Sequence, residues 1–549
     1  MSSTVDSKQR ARSLSGRDVR VGAMAAFACL GLPAAASPPH ERSEVLADEL
    51  RRLYPRVVEP WERWRRDRPV RMSDGREVPR EEAWRDDPDF ATAARRLLSS
   101  AEADDAALGA WLLGTAGPRR AGEARAFLAD ALAHRDPRVA FEAVLAIASL
   151  GATADGGALA AAARSARSAE VRAAAAWASS ERETRGPSSA AASSRAALTP
   201  EPAARLAPAF RRGVSWWVSE ARADAGRASF RRLAGLGVTW VSIHTWDPLQ
   251  RAVDDPVLAA RSGRFSASRL AALVRSAHEA GLKVLFKPHL EMRGYDPSPE
   301  ERRILRGPDR AARRRLVERI EARDAGAVPG SHNRIAMRSE GDWRRWFAEY
   351  EAYILEYARA ARVSGADMLC VGRELDSTVI ERERDWRRLL ARVRAEFAGP
   401  LVYSANFDTW SRLDFWDALD FIGVSAYFPL SARADPPLAE LEAGWARALL
   451  ALGEASRRFD RPVLLTEAGF PSVASAARAP WREERAVADV WLQSRCYEAT
   501  LRAVAAHPFV EGAFFWLWER SSMPPFRDPS HTIVGKPASF TMARWYWAR

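Results

Sequence analysis

From residue 206 onward, short apolar runs alternate with amphipathic stretches. The runs span residues 213–217, 238–244, 283–290, 368–375, 401–406, 420–428, 462–468 and 512–518. Between them, apolar residues recur at helical spacing over 228–235, 268–280, 343–361, 386–397 and 486–506. A short, continuously apolar run reads as a strand buried on both faces, and helices between such strands make them parallel. The alternation across residues 206–549 predicts a (β/α)8 TIM barrel, an α/β fold. A doubly wound open sheet shares the alternation, but no glycine-rich phosphate loop follows any run, which counts against a nucleotide-binding version. Upstream, residues 85–182 are alanine-rich with a helical period and predict an N-terminal all-α domain. Residues 183–205, dominated by Ser, Ala and Pro, lose the period and read as a linker.

The helical stretch carries an internal echo. Asp136-Pro137-Arg138-Val139 leads into an apolar segment ending at Gly151, and Ala169-Glu170-Val171-Arg172 opens a similar segment about one thirty-odd-residue repeat later. A fainter copy ends at Trp111-Leu112-Leu113-Gly114. The Asp-Pro-x-Val opening resembles a HEAT repeat: Asp caps the helix, Pro fits its first turn, and Val starts the buried stripe. Such arrays stack helix pairs and bind or pack protein, so this stretch is a candidate protein-interaction surface; a plain alanine-rich bundle is the alternative.

Composition narrows the partners. The chain has 549 residues, 47% hydrophobic and 28% charged, which excludes a wholly disordered protein and leaves room for more than one core. Its formal charge is +12, and of 83 basic residues only Lys8, Lys283, Lys287 and Lys536 are lysines. Because the arginines are spread evenly among 71 acids, no basic patch stands out, and nucleic acid is not an expected partner. Residues 1–36 read as an export signal: Lys8, Arg10, Arg12, Arg17 and Arg20 precede an apolar stretch at 21–32 and the small residues Ala34-Ala35-Ala36. A periplasmic or extracellular location follows; Cys29 sits in a poor lipoprotein box, and no segment is long and apolar enough for a transmembrane helix. Residues 37–84 read as an N-terminal extension. Cys370 and Cys496 lack any metal or disulfide spacing and read as buried thiols.

In a parallel barrel the active site lies at the strands' C-terminal ends. There the runs present His244 with Trp246 beyond it, then Lys287-Pro288-His289, and Arg373-Glu374. The later runs present Asn406, Tyr427, Glu467, and Trp516 with Trp518. Converging polar and aromatic residues on one rim suit a binding site. Glu374 and Glu467 end runs four and seven, which face each other across an eight-stranded barrel. Paired carboxylates across a cleft are what glycoside hydrolysis needs. Arg373, Lys287 and Tyr427 are candidates to tune them. The 21 tryptophans outnumber the 9 tyrosines. Trp216, Trp217, Trp246, Trp410, Trp516 and Trp518 lie at or after strand ends, where flat rings can stack on sugars. Trp343, Trp346, Trp386, Trp445 and Trp491 lie in helices and read as core. No metal or cofactor motif is found.

The stretch from about 210 to 549 resembles glycoside hydrolase family 113. The resemblance runs through the segment from Ala277 to His289, Trp346-Phe347-Ala348-Glu349-Tyr350, Val371-Gly372-Arg373-Glu374-Leu375 and Tyr403-Ser404-Ala405-Asn406. It continues through the segment from Phe415 to Gly423, Ser425-Ala426-Tyr427-Phe428-Pro429-Leu430, Thr466-Glu467-Ala468-Gly469-Phe470 and Gly535-Lys536-Pro537-Ala538. It implies a retaining β-1,4-mannanase-type barrel with Glu374 as acid/base, Glu467 as nucleophile and Tyr427 bonded to the nucleophile. It further implies Lys287, His289, Asn406 and Trp516 near the sugar, and no cofactor. Two departures stand out: Arg373 occupies a position where the family pattern has a small polar residue, and Phe470 replaces a Tyr. A cation beside the acid would depress its pKa if the side chains met, whereas strict strand alternation points Arg373 toward the helix layer. The expected function is therefore hydrolysis of a β-linked, mannan-type polysaccharide by double displacement. The alternative is an inactive carbohydrate-binding scaffold whose working surface is the helical array.

Overall fold

In a computed structural model the chain is described over residues 39–54, 70–71, 77–78, 89–116, 120–150, 156–183, 204–217, 223–250, 253–258, 266–292, 331–484, 486–519, 521 and 523–548, with isolated positions between 303 and 316. The expected export signal at 1–36 and nearly all of the expected linker lie outside the described residues, as does much of the extension at 37–84.

Eight strands build the second half of the chain: β1 (Arg211–Trp217), β2 (Trp240–Gln250), β3 (Lys283–Met292), β4 (Met368–Arg373), β5 (Leu401–Asn406), β6 (Ile422–Ser425), β7 (Val463–Ala468) and β8 (Val510–Trp518). They close into a barrel in the order β8-β1-β2-β3-β4-β5-β6-β7, each pairing parallel. All eight apolar runs hold a strand. The 420–428 run contributes only four strand residues, while β2 continues past its run to Gln250.

The strand period of two sorts the barrel interior into layers. Trp240, Leu285, Met368, Cys370, Val402, Phe421, Leu464 and Phe514 form an inner apolar cluster of their own. Farther along the strands on the inward face come Ser215, Ser242, Lys287, Ser404, Ser425 and Thr466, all fully buried. The floor of the mouth is thus a belt of small hydroxyls around one lysine.

Helices between the strands wrap the outside. Three of them start at a side-chain cap. Ser266 accepts from Arg269 N–H at the head of Ala267–Glu279, Ser339 from Asp342 N–H before Glu340–Ser364, and Asp489 from Leu492 N–H before Val490–Ala505. The Glu340–Ser364 helix ends at Gly365, whose φ of 76° suits a residue without Cβ. Trp343, Trp346, Trp386 and Trp445 are buried between these helices and the barrel, in line with the core reading; Trp491 is half-buried. Cys370 and Cys496 are buried and free.

The N-terminal helices are α1 (Pro39–Leu53), α2 (Phe90–Leu98), α3 (Ala103–Gly114), α4 (Ala121–Ala131), α5 (Pro137–Ser149), α6 (Gly156–Ser165) and α7 (Ala169–Glu183). Alternate members α3, α5 and α7 pack side by side. Asp136 caps α5 by accepting from Arg138 N–H, with Pro137 in the first turn, and Ser168 accepts from Glu170 and Val171 N–H at the head of α7. The layer docks on the barrel through Phe141 and Trp177, whose rings lie 5.5 and 5.7 Å from Phe540. From the barrel side, Arg527 reaches the Tyr54 carbonyl and the Asp104 carboxylate. The two cores are continuous. No described helix is long and apolar enough to cross a membrane.

Candidate active site

Glu374 follows the last residue of β4, and Glu467 lies one residue from the end of β7. Both side chains face the barrel mouth and both are buried, at 9% and 2% exposure.

Glu467 is held at both oxygens. Lys287 Nζ, from β3, donates to its Oε1 at 2.7 Å, and Tyr427 OH, just past β6, donates to its Oε2 at 2.8 Å. Lys287 also donates to Ser404 Oγ at 3.0 Å. Ser404 Oγ in turn sits 3.0 Å from Ser425 Oγ and 2.6 Å from Thr466 Oγ1. Burial, with the charges of Glu467 and Glu374 nearby, pushes the Tyr427 phenol well above its ordinary pKa, so it stays a donor. An ammonium and a carboxylate taken out of water together need this full set of partners to be stable.

Glu374 sits in a different field. Arg373 Nη1 contacts its Oε2 at 2.8 Å, and His332 Nε2 lies 3.3 Å from the same oxygen. Burial raises the carboxyl's pKa, but the Arg373 charge, His332 and a bond from Ser425 outweigh it and hold the group well below the usual carboxylate range. Strict alternation would have turned Arg373 toward the helices. It fails because the register between β4 and β5 shifts between Cys370 and Arg373, and because Glu374 adopts a φ of 51°. That left-handed turn is uncommon for a residue with a side chain. It folds the carboxylate back onto its predecessor's guanidinium, with Glu374 N–H bonded to the Ser404 carbonyl.

Opposite these groups, β1, β2, β3 and β8 form an aromatic wall. Trp217 stacks on His244 at 5.7 Å and meets His289 and Trp516 edge-on at 5.4 and 5.5 Å. His244 Nδ1 and His289 Nε2 hydrogen-bond at 2.8 Å, and Ser242 Oγ lies 3.0 Å from His244 Nε2. Burial, then the cations Lys287 and Arg373, depress both imidazoles well below their ordinary pKa, so each is neutral. His244, His289 and Glu467 bring three donor atoms within 4.8 Å of one another, a spacing that a metal ion could use. The Lys287 ammonium already bonded to Glu467 supplies the positive charge there, and the two imidazoles spend their facing nitrogens on each other.

The expected site residues divide accordingly. Glu374, Arg373, Glu467, Lys287, Tyr427, His244, His289 and Trp516 come together. Asn406 points to Asp376 instead, donating to its Oδ2 at 3.4 Å, while Thr409 donates to Asp376 Oδ1 at 2.8 Å. Trp518 is buried and pairs in register with Trp216 on β1. Trp246 pairs with His289 in the sheet, but its side chain lies outside the described set. Trp216 is no platform: it faces the helix layer, 5.1 Å from Phe230. Trp410 is likewise buried.

His332 and Asp376 were not anticipated. His332 lies in a short 3-10 turn, Ser331–Arg334, whose sequence carries no period. Asp376 starts the helix Asp376–Glu381, two residues after Glu374. Burial is the main cause that pushes its pKa up to about 6, with Glu374 adding to it.

Residues 331–532 match the model of Glycoside Hydrolase Family 113. That match lies within the barrel and covers less than half of the chain. No curated protein sequence matches the chain. Among solved structures, the chain is similar to the GH113 β-mannanase from Alicyclobacillus acidocaldarius in complex with ManMIm. Identity is 28%, covering 61% of this chain and 97% of that one, with a TM-score of 0.47. Two structures of a GH113 β-1,4-mannanase, one of them of a complex, are 21% and 22% identical over 62% of this chain and 99% of theirs, with TM-scores of 0.50. At that identity the shared property is the eight-stranded barrel.

Proposed function

We propose that the chain is a retaining glycoside hydrolase acting on a β-linked, mannan-type polysaccharide, with residues 206–549 as its catalytic domain. The observation that carries this reading is the pair of buried glutamates at the ends of β4 and β7, joined by one network of hydroxyls and cations. Tyr427 and His332 each lie within electrostatic reach of both carboxylates.

Glu467 takes the role of nucleophile. Lys287 and Tyr427 fix its two oxygens, and a fixed carboxylate aimed at an anomeric carbon needs little reorganisation to attack. Glu374 takes the role of acid/base: it protonates the departing oxygen, then deprotonates the water that hydrolyses the glycosyl-enzyme. The first of these steps needs a protonated Glu374, which Arg373 opposes, so the reading carries an acid-shifted pH optimum with it. Trp516 and Trp217 offer flat faces to a sugar, with His244 and His289 as neutral hydrogen-bonding groups beside them. Substrate and linkage are taken from the family match and from the named activity of the similar structures. Export through residues 1–36 and a protein-binding role for the helices at 85–182 complete the proposal.

The test is hydrolysis of β-1,4-mannan by the parent, Glu467→Ala and Glu374→Gln. We expect Glu374→Gln to lose about 10²–10⁴-fold in rate, the range for removing a general acid/base, and Glu467→Ala to lose at least as much. A parent inert on mannan and on other β-glycans, or variants as active as the parent, would overturn it and favour the scaffold alternative.

A further inference from the structure

We propose that Trp481, on the loop after β7, is the platform of an outer subsite that stacks a second sugar ring of the glycan. The proposal rests on the glycosidase reading above and adds the length and path of its substrate.

Trp481 is the most exposed aromatic ring among the described residues, at 48%. It stacks on Phe407 with ring centroids 5.0 Å apart and planes 19° from parallel, and Phe407 in turn meets Phe428 edge-on at 6.0 Å. A ring covered on one face owes its exposure to the other face and its edges. Phe428 is the residue after Tyr427, which bonds Glu467, and Phe407 is the residue after the end of β5, so this trio lies on the same rim as the site.

The exposed ring is held in place from behind. His531 Nε2 faces the Pro480 carbonyl at 2.6 Å and Nδ1 faces the Glu483 carboxylate at 3.1 Å, so one buried imidazole grips the loop on either side of Trp481. The same imidazole packs edge-on against Tyr427 at 6.1 Å, the phenol that bonds Glu467. Its own segment is pinned by Lys536, which donates to Ser472 Oγ and the Ser530 carbonyl at 2.9 Å each. Leaving a large apolar ring in water costs hydrophobic free energy, and fixing it there serves binding better than stability.

The barrel order gives the direction of the substrate. Trp217, His244, His289 and Trp516 come from β8 through β3; Phe407, Phe428 and Trp481 follow β5, β6 and β7. Glu374 on β4 and Glu467 on β7 stand at the two boundaries between these walls. A glycan that touches both walls passes between the carboxylates, with the cleaved bond in its interior. Pyranose rings present an apolar face, the complement of the open face of Trp481.

The experiment compares kcat/KM for an aryl β-mannoside and for β-1,4-mannohexaose in the parent, Trp481→Ala and Trp481→Phe. We expect Trp481→Ala to lose about tenfold on the hexaose, the equivalent of ~1.4 kcal/mol, chiefly through KM, and nothing on the aryl glycoside. Trp481→Phe should recover most of the loss, and the thermal midpoint of all three should agree. Equal kinetics on the hexaose, or an equal loss on both substrates, overturns the subsite while the glycosidase reading stands. A parent inert on both substrates overturns that reading and the subsite with it.

Discussion

Replacing Arg373 by Ser tests the least expected feature of the site. The guanidinium contacts Glu374 Oε2 at 2.8 Å, and the two side chains are only 17% and 12% exposed, so solvent screens them weakly. With the guanidinium charge spread to an effective separation of about 4 Å and an effective dielectric of about 20, the attraction is ~4 kcal/mol, or about 3 pKa units. Water entering the vacated space and the remaining His332 bond reduce this, leaving an expected rise of about 1–3 units. The sign follows from the chemistry. A general acid works only while protonated, so the basic limb of kcat/KM against pH tracks the acid's pKa. In the parent that limb lies on the acid side; without Arg373, burial acts with less opposition and moves it to higher pH, raising activity at neutrality. The assay is the kcat/KM–pH profile on mannan, joined to carbon-13 NMR titration of carboxyl groups with Glu374→Gln to assign the signal. A limb that stays put, or moves to lower pH, refutes the reasoning.

Two other changes test different parts of the site. Lys287→Met leaves Glu467 buried with Tyr427 alone, and breaking a buried pair of this kind costs about 3–5 kcal/mol; an unchanged denaturant midpoint would contradict it. Asp376 is raised to about 6 by burial, so the stability that its neutral form contributes is full below about pH 4 and is lost as pH rises through about 6. Asp376→Asn should therefore gain on the parent across that window, levelling off near 3 kcal/mol by the two-unit shift, and melting curves that differ equally at every pH reject the idea.

The barrel was legible because parallel strands buried on both faces write themselves as apolar runs, and each of the eight runs holds one. The carboxylates were legible for the same reason: they interrupt those runs at the ends where chemistry collects. What escaped notice depends on backbone departures or on distant sequence. For Arg373, a candidate site residue that strict alternation would turn to the helix layer, a register shift and one left-handed residue break the period of two and bring it to the site. His332 comes from a short turn with no pattern of its own, yet it shares an oxygen with Arg373. Trp481 and His531 are 50 residues apart, and His531 reaches the loop that carries Trp481 only because the loops after β7 and β8 are neighbours at the mouth. Among the tryptophans, position near a strand end was too coarse a guide. Trp216 and Trp217 are adjacent, but alternation sends one to the helix layer and the other to the site.

The grip of Arg527 on the N-terminal helices has a consequence for the order of folding. Its partners, the Tyr54 carbonyl and the Asp104 carboxylate, lie 473 and 423 residues earlier in the chain. During synthesis the α1 to α3 segment emerges first, while the arginine that anchors it and Phe540, which receives Phe141 and Trp177, emerge last. Contacts of such sequence separation are the slowest to form, since nearly the whole chain must be ordered before they close. The helical layer therefore waits, with its docking face uncovered, until the barrel's final strand and helix are made.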